Sequence, residues 1–257
     1  MDVIIHTYGR AKRELQHTLT ALANEDIRPL LVVQEREKNE YDGFPAIVYV
    51  LPDHIRTLAH TRDHIIHDMP GDDHVVFMDD DLRFAVRRED DRTKFRPPQQ
   101  GDLQNMLRDI DLTLVNHPMV GIGAREGGNR VTEDYVENSR IMRVLAFRRS
   151  YLKEHCLTFS PLVVMEDFHI NLQILRSGGR TCICNDWVSD QVGGSDAPGG
   201  CSVYRTPQVQ TDSANLLAKL HPGFVKVVEK KGWQGQGTRT DVMVYWKKAY
   251  ASSQHRS

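Results

Sequence analysis

Short apolar runs alternate with helix-like segments along the first part of the chain. The runs are residues 3–5, 30–33, 47–50 and 75–78. Between them, leucines recur at helical spacing over residues 15–22, and residues 55–67 have a similar pattern. Continuous apolar strands that alternate with helices are typical of a mostly parallel sheet covered on both faces. We therefore predict a Rossmann-like α/β fold with helices flanking the sheet.

The same pattern continues more loosely toward the C-terminus. Strands are predicted at 119–123 and 141–147, and helices at 103–114, at 166–175 and from Thr211 onward. Residues 83–100 are polar and contain Pro97-Pro98, so we expect a loop there, as we do at the glycine-rich residues 193–200. Since no repeat or linker interrupts the pattern, we predict one domain over 1–257. Its parts would be 1–118, 119–210 and a basic extension, 211–257.

The composition is that of a soluble globular protein. The chain has 257 residues, of which 40% are hydrophobic and 26% charged, which excludes a disordered chain. No apolar run approaches the roughly 18 residues that a membrane-spanning helix needs, and residues 1–10 have no signal-peptide pattern. We therefore expect a cytoplasmic protein with no membrane partner.

Three consecutive aspartates follow the fourth apolar run, in the string VVFMDDDLRF. Because strand side chains alternate between faces, we expect Asp79 and Asp81 to point one way and Asp80 the other. The carboxyl ends of strands are where open α/β sheets bind ligands. Converging carboxylates repel each other unless a cation is present, and Mg²⁺ or Mn²⁺ could also hold a diphosphate there. The alternative is a solvated acidic turn.

A second acidic pair, Glu166-Asp167, opens the helix predicted after residues 163–165. Acidic residues are common in a first helical turn because they complement the helix dipole. Beside a diphosphate site, such a carboxylate could also act as a general base toward a hydroxyl group. The polar loop after the first strand, HTYGR, could hold a nucleotide, although the sequence lacks both GxGxxG and GxxxxGK[ST].

Charge is distributed unevenly, although the net charge is only −2. Residues 219–257 contain eight basic and two acidic residues, a net of +6, which leaves −8 on residues 1–218. Basic residues also cluster at 83–96 and at 140–149. These clusters are either solvated surfaces or contacts to a polyanionic acceptor such as DNA. The residues predicted to contact the acceptor are Arg83, Arg87, Arg88, Lys94, Arg96 and Arg148.

The motifs together resemble the GT-A nucleotide-sugar glycosyltransferases, in particular the family-2-like inverting group. The matching strings are VIIHTYGR, LLVVQE, HIRTLAHTRDHII before VVFMDDD, and MED, in that order over roughly residues 1–180. The HTYGR, DDDLRF and EDFHI strings are most similar to the TET-associated glycosyltransferases of bacteriophages. That resemblance implies a phage-encoded enzyme that uses Mn²⁺ or Mg²⁺ to transfer a sugar from a UDP-sugar to 5-hydroxymethylcytosine in DNA.

The resemblance also implies roles for individual residues. Asp167 would be the catalytic base, with Glu166 beside it, and Asp81 and Asp79 would hold the metal. The further ligand would be His221, Asp190 or Asp196. The residues implied in donor binding are Thr7, Tyr8, Arg10, Glu35, Arg62, Asp79 and Asp80.

Three other functions are compatible with the residues. The same fold could use a glycan or small-molecule acceptor. A sugar-nucleotide nucleotidyltransferase also uses a metal-bound aspartate on an α/β sheet, and Gly9-Arg10-Ala11-Lys12 is a faint version of its phosphate loop. The third is a nucleic-acid-binding module without activity, in which the aspartates only end a strand.

Overall fold

The chain folds around one large mixed sheet. The computed structural model describes residues 1–192, 199–232 and 237–254. Its strands are β1 (Asp2–His6), β2 (Leu30–Gln34), β3 (Ile47–Leu51), β4 (His74–Asp79), β5 (Leu82–Arg87), β6 (Phe95–Arg96), β7 (Met119–Ala124), β8 (Tyr135–Glu137), β9 (Val144–Arg148), β10 (Thr181–Gln191), β11 (Val225–Lys231) and β12 (Thr238–Val244). Its α-helices are α1 (His17–Ala23), α2 (Leu58–His67), α3 (Asp102–Leu114), α4 (Arg149–Glu154), α5 (Glu166–Arg176), α6 (Pro207–Leu220) and α7 (Trp246–Ser253).

Ten strands form the sheet in the order β3-β2-β1-β4-β9-β7-β10-β5-β6, with β8 pairing with β10. Strands β1 to β4 are mutually parallel, and β10 is parallel to β7. Strand β9 runs antiparallel between β4 and β7, and β5 runs antiparallel to β10. The predicted α/β class with a mostly parallel sheet is therefore confirmed. We call the edge where β1, β2 and β4 end the carboxyl edge, and the other the opposite edge.

Helices cover both faces of the sheet, because each carries an apolar stripe. Helices α1 and α3 pack on one face, where Leu103, Met106 and Ile110 are buried. Helices α2, α4 and α5 pack on the other, which explains why both sides of β4 are apolar. Leu172 and Leu175 of α5 belong to a third cluster with α6, α7 and the β11–β12 hairpin. Helix α5 thus joins the sheet to the C-terminal elements.

Two predicted boundaries differ from the structure. Residues 83–100 include the strands β5 and β6 rather than a continuous loop. Helix α6 begins at Pro207, where the Thr206 hydroxyl accepts a hydrogen bond from the Val209 amide, and not near Thr211. The predicted boundary between residues 210 and 211 therefore lies inside a helix. Among the described residues, no helix is both long and apolar enough to cross a bilayer.

Candidate functional site

A cavity of about 270 Å³ lies at the carboxyl edge of the sheet. The ends of β1, β2 and β4, the starts of α2 and α5, and residues 199–205 enclose it. Its charged lining residues are Asp79, Asp80, Asp81, Glu166 and Asp167, with Arg10, Arg56, Arg62, Arg140, Arg143 and Arg205. The two acidic motifs found in the sequence therefore face one space.

The aspartates after β4 do not alternate as expected. Asp79 ends the strand, and its side chain is 31% exposed within the cavity. One amino group of Arg10, Nη1, donates to both Asp80 and Asp81, the latter at 2.8 Å to Oδ2. The Thr7 hydroxyl also donates to Asp80 Oδ2 at 2.7 Å. Alternation fails because Asp80 and Asp81 form a turn, which brings both carboxylates to Arg10.

Burial of carboxylates raises two pKa values at this turn. Burial raises the pKa of Asp79 to about 7; Arg62 opposes the shift, and Asp81, Asp80 and Glu166 add to it. Burial raises the pKa of Asp80 to about 6, although Arg10 and Thr7 oppose that change. A cation near Asp79 would relieve this repulsion.

Arg62 connects the aspartate turn to the second acidic motif. This arginine is only 2% exposed, its Nη1 donates to Glu166 Oε1 at 2.8 Å, and its Nη2 is 3.9 Å from Asp79 Oδ1. The guanidinium lies 5.8 Å from the Phe77 ring centre and 5.7 Å from that of Phe159. Burial raises the pKa of Glu166, and Arg62 opposes the shift. The predicted donor-facing arginine is thus mainly a bridge between two motifs.

Arg62 also contacts the histidine that ends β1. Its Nε donates to His6 Nε2 at 3.3 Å. Burial, together with the positive charge of Arg62, holds the pKa of His6 well below its ordinary value. The imidazole is therefore neutral at physiological pH and can accept this hydrogen bond.

The start of α5 presents Asp167 to the cavity. Met165, the preceding N-cap residue, has φ +67°, an unusual conformation for a non-glycine residue. Glu166 and Asp167 form the first turn, and both line the cavity. Glu166 is bound by Arg62, whereas no described residue donates a hydrogen bond to the half-buried Asp167 side chain. Of the two, Asp167 is the carboxylate available to a ligand.

The loop after β1 forms the opposite wall of the site, with Thr7, Tyr8 and Arg10 lining the cavity. The Gln16 side-chain amide donates to Thr7 Oγ1 and to the Arg10 carbonyl oxygen, each at 2.8 Å, which fixes the loop. The Arg36 guanidinium lies 4.8 Å from the centre of the Tyr8 ring.

The predicted donor contact Glu35 does not line the cavity. Its side chain is exposed and pairs with Lys38. The carboxylate that meets the loop is Glu37, which is buried and accepts a hydrogen bond from the Gly9 amide at 2.9 Å. Glu37 takes the place predicted for Glu35 because residues 35–41 form a 3₁₀ helix after β2. The apolar pattern of the sequence does not predict this helix.

Residues 199–205 cover the loop and complete the cavity. The Gly200 amide donates to the Tyr8 carbonyl oxygen at 2.8 Å. Gly199 has φ +86°, and a Cβ there would lie 2.6 Å from Arg10 Cγ, so the close approach requires glycine. Cys201 and Tyr204, which sequence reasoning had not selected, line the cavity with Sγ and Oη 3.0 Å apart.

Two of the predicted further metal ligands, His221 and Asp190, do not line the cavity with the aspartates. His221 is buried at the end of α6, where its Nε2 is 2.7 Å from His169 Nδ1 and its Nδ1 is 2.9 Å from Arg176. Asp190 does not line the cavity, and Asp196 lies outside the described residues. Gln191, the residue after Asp190 and the last residue of β10, donates instead to Asp81 Oδ2 at 3.0 Å.

None of the six basic residues predicted to contact an acceptor lines this cavity within the described ranges. Arg87 is buried and donates to the Asn185 carbonyl oxygen at 2.7 Å. Four others have partners within the chain: Arg88 with Asp90, Lys94 with Asp91, Arg96 with Asp102, and Arg148 with the Val115 carbonyl oxygen. Arg83 is exposed.

Strand direction explains why these residues, apart from Arg83 near the start of β5, lie away from the cavity. Strands β5 and β9 begin at the carboxyl edge and run away from it. At about 3.3 Å per residue, five residues carry the chain some 15 Å toward the opposite edge. Arg56, Arg140, Arg143 and Arg205 lie at the cavity instead. Arg143 and Arg148 belong to the same basic cluster in the sequence, at residues 140–149, but the fold places only Arg143 at the cavity.

Comparison with known families identifies the chain. The profile of the TET-associated glycosyltransferases matches residues 1–200. The chain belongs to this family. Membership of the TET-associated glycosyltransferases, together with the mixed, mostly parallel sheet, confirms the predicted fold class and the predicted class of enzyme. No curated protein sequence matches the chain.

Several solved structures are similar at low sequence identity. A mannosyltransferase from Pyrobaculum calidifontis, solved with GDP-Man and Mn²⁺, is 17% identical, with a TM-score of 0.47 over 76% of this chain and 57% of that one. CMP:2-keto-3-deoxy-manno-octonic acid synthetase with CTP is 11% identical, with a TM-score of 0.46 over 71% and 88%. The galactosyltransferase LgtC with donor and acceptor sugar analogues is 13% identical, with a TM-score of 0.36 over 60% of each chain. This chain thus spans little more than half the length of the mannosyltransferase.

Proposed function

We propose that this TET-associated glycosyltransferase transfers a sugar from a UDP-sugar to the hydroxyl group of 5-hydroxymethylcytosine in DNA. One observation carries the proposal. Arg62 binds Glu166 and approaches Asp79, so that both acidic motifs face one cavity, while the Asp167 carboxylate has no hydrogen-bond partner among the described residues. An unpartnered carboxylate beside a cavity lined by arginines suits transfer from a diphosphate-linked donor.

Asp167 is the general base of the proposed reaction. Its carboxylate takes the proton of the acceptor hydroxyl as that oxygen bonds to the anomeric carbon. The bond from this carbon to the phosphate oxygen breaks, and its electron pair leaves with the nucleoside diphosphate. Because the base and the leaving group act from opposite faces of the sugar, one displacement inverts the anomeric centre.

The arginines stabilise the charge that develops on the diphosphate. Arg56 is an exposed side chain that lines the cavity, and Arg205 lies beside residues 199–204. Fixed positive charges aimed at a leaving group lower the barrier because they need no reorganisation during the reaction. Tyr8, held under Arg36, offers an aromatic surface for the donor base.

The residues present also fit a divalent cation, Mn²⁺ or Mg²⁺. Asp81 Oδ1 is buried without a hydrogen-bond partner in the described structure. The pKa of Asp79 is raised by burial and further by neighbouring carboxylates, and a cation would stabilise its charged form. Asp79 and Asp81 would hold the ion. No described group of three or more His, Cys, Asp or Glu side chains could hold a metal, so diphosphate oxygens and water would complete its shell. When bound, the ion supplies Lewis-acid stabilisation of the leaving diphosphate.

The family supports DNA as the acceptor class, since these glycosyltransferases are TET-associated. A hydroxymethyl group of a paired cytosine can enter the cavity only if the base leaves the helix. Against the nucleotidyltransferase alternative, Arg10 is committed to Asp80 and Asp81 and is not part of a phosphate loop.

The test uses a panel of UDP-sugars with Mn²⁺ and two DNA substrates, one hydroxymethylated and one unmodified. Mass analysis of the released nucleosides should show a sugar added only to hydroxymethylcytosine, and chelation of the metal should abolish the addition. Transfer to small saccharides with none to DNA would contradict the proposed acceptor.

A further inference from the structure

A second, shallower groove borders the cavity beyond α5. The C-terminal elements β11, β12 and α7 form most of it, and these elements follow the residues that match the family profile. Its polar and aromatic lining includes Arg140, Phe168, Lys230 and Trp246. The mechanism proposed above uses none of its C-terminal residues.

Arg140 makes the groove continuous with the cavity, because this side chain lines both. Its guanidinium carbon lies 4.5 Å from the centre of the Phe168 ring, within cation–π distance. Phe168 directly follows Asp167 in α5. The groove therefore begins one residue along the chain from the carboxylate proposed as the base.

The floor of the groove is aromatic and partly accessible. The rings of Phe168 and Trp246 lie with centroids 5.6 Å apart and an interplanar angle of 30°. Both residues are only half-buried, and the neighbouring Met243 is 42% exposed. Aromatic faces beside arginine or lysine are the surfaces on which unpaired bases stack, largely regardless of sequence.

The charge around the groove favours a polyanion. Lys230 is 48% exposed and shares Asp241 with Arg239, at 3.2 and 3.0 Å, and Glu229 is the acidic residue on the lining. Residues 219–257 carry eight basic and two acidic residues. Phosphate groups that follow an aromatic floor would meet this positive charge, whereas a neutral glycan would gain nothing from it.

We infer that this groove binds the nucleotides next to the target cytosine, by stacking on Phe168 and Trp246 and by phosphate contacts with Arg140 and Lys230. The inference rests on the proposed DNA acceptor. It places acceptor recognition in the C-terminal elements instead of the basic residues at the opposite edge of the sheet.

Binding of a fluorescently labelled 12-nucleotide DNA strand tests the groove without requiring catalysis. Trp246→Leu should weaken binding about 10-fold, in line with the loss of one stacking contact. Lys230→Gln should lower the slope of log affinity against log salt concentration by about 1. The second variant should also fold normally, because Asp241 keeps Arg239 as a partner at 3.0 Å.

Matched controls lie away from the groove. Tyr135→Leu removes an aromatic side chain that is 50% exposed on β8, and Lys153→Gln removes an exposed charge on α4. Both should bind the strand as the unmodified chain does. If Trp246→Leu and Lys230→Gln also bind it unchanged, or if heparin binds in preference to DNA and depends on the same residues, the inference is overturned.

The transfer assay separates this result from the proposed function. If the two variants lose DNA binding and the unmodified chain transfers no sugar, the inferred groove is supported and the proposed activity is contradicted. If both variants bind DNA normally and transfer sugar to hydroxymethylcytosine, the proposed activity is supported and the inferred groove is contradicted.

Discussion

Charged residues are arranged differently at the two edges of the sheet. At the opposite edge, exposed pairs such as Lys94–Asp91 and the Arg88–Asp90 pair match one cation with one carboxylate. At the carboxyl edge, Arg10 serves two aspartates, and Asp167 has no partner among the described residues. Matched surface pairs need no ligand. Buried charges that are not matched one to one are costly, so they are expected where the protein binds a ligand.

The largest effect should come from the unpartnered carboxylate. Asp167→Asn keeps the shape of the side chain but cannot take the acceptor proton, so the transfer rate should fall about 10³-fold. Donor binding, measured by calorimetry, should be unchanged. The exposed Asp212→Asn on α6 is the matched control and should retain full activity. Loss of donor binding together with activity would contradict a role as base.

The buried bridge should matter next, through stability. Arg62→Ala leaves Glu166 buried without its 2.8 Å partner, which should lower the free energy of unfolding by about 3 kcal/mol. Urea denaturation measures the change. The double variant Arg62→Met, Glu166→Leu removes both charges and should recover much of the loss. A cost below about 1 kcal/mol for the single variant would show that the bridge is solvated.

Alanine substitutions at two glycines distinguish the effect of backbone strain from the effect of a clash in the cavity wall. Gly199 and Gly101 have φ values of +86° and +87°, but only a Cβ at Gly199 would meet Arg10 and Tyr8. Both alanine variants should lose stability: about 1 kcal/mol at Gly101, whose ψ of −11° is left-handed, and about 2 kcal/mol at Gly199, whose ψ of −176° lies in a region that essentially only glycine adopts. Gly199→Ala should also raise the donor KM about 10-fold because it displaces Arg10. An equal KM for the two variants would mean that this contact is unimportant.

The smallest effect is expected at the opposite edge. Lys94→Ala breaks an exposed pair with Asp91, so transfer rate, KM for DNA and thermal stability should all stay at the values of the unmodified chain. Steady-state kinetics with a hydroxymethylated duplex checks this. A clear rise in the KM for DNA would restore residues 83–96 as an acceptor surface and break the contrast between the edges.

Local patterns were sufficient for strands β1 to β4, β7 and β9 and for the two acidic motifs. The run before Asp79 predicted β4 because a strand buried on both faces must be apolar throughout. The same reasoning failed at residues 83–100. Arg87 in β5 is buried in that stretch because backbone carbonyl oxygens of distant segments bind its guanidinium. The residues next to Arg87 in the sequence do not indicate these distant partners.

The sequence by itself determined the order of elements from β1 to β4, the family and the two carboxylate motifs, because these depend on periodicity and on neighbouring residues. The tertiary structure decided which charges meet. It brought Arg62 between Asp79 and Glu166, moved Glu37 rather than Glu35 to the Gly9 loop, and buried His221 against His169. Such pairings depend on strand direction and on turns between residues far apart in the chain, and local sequence patterns do not encode them.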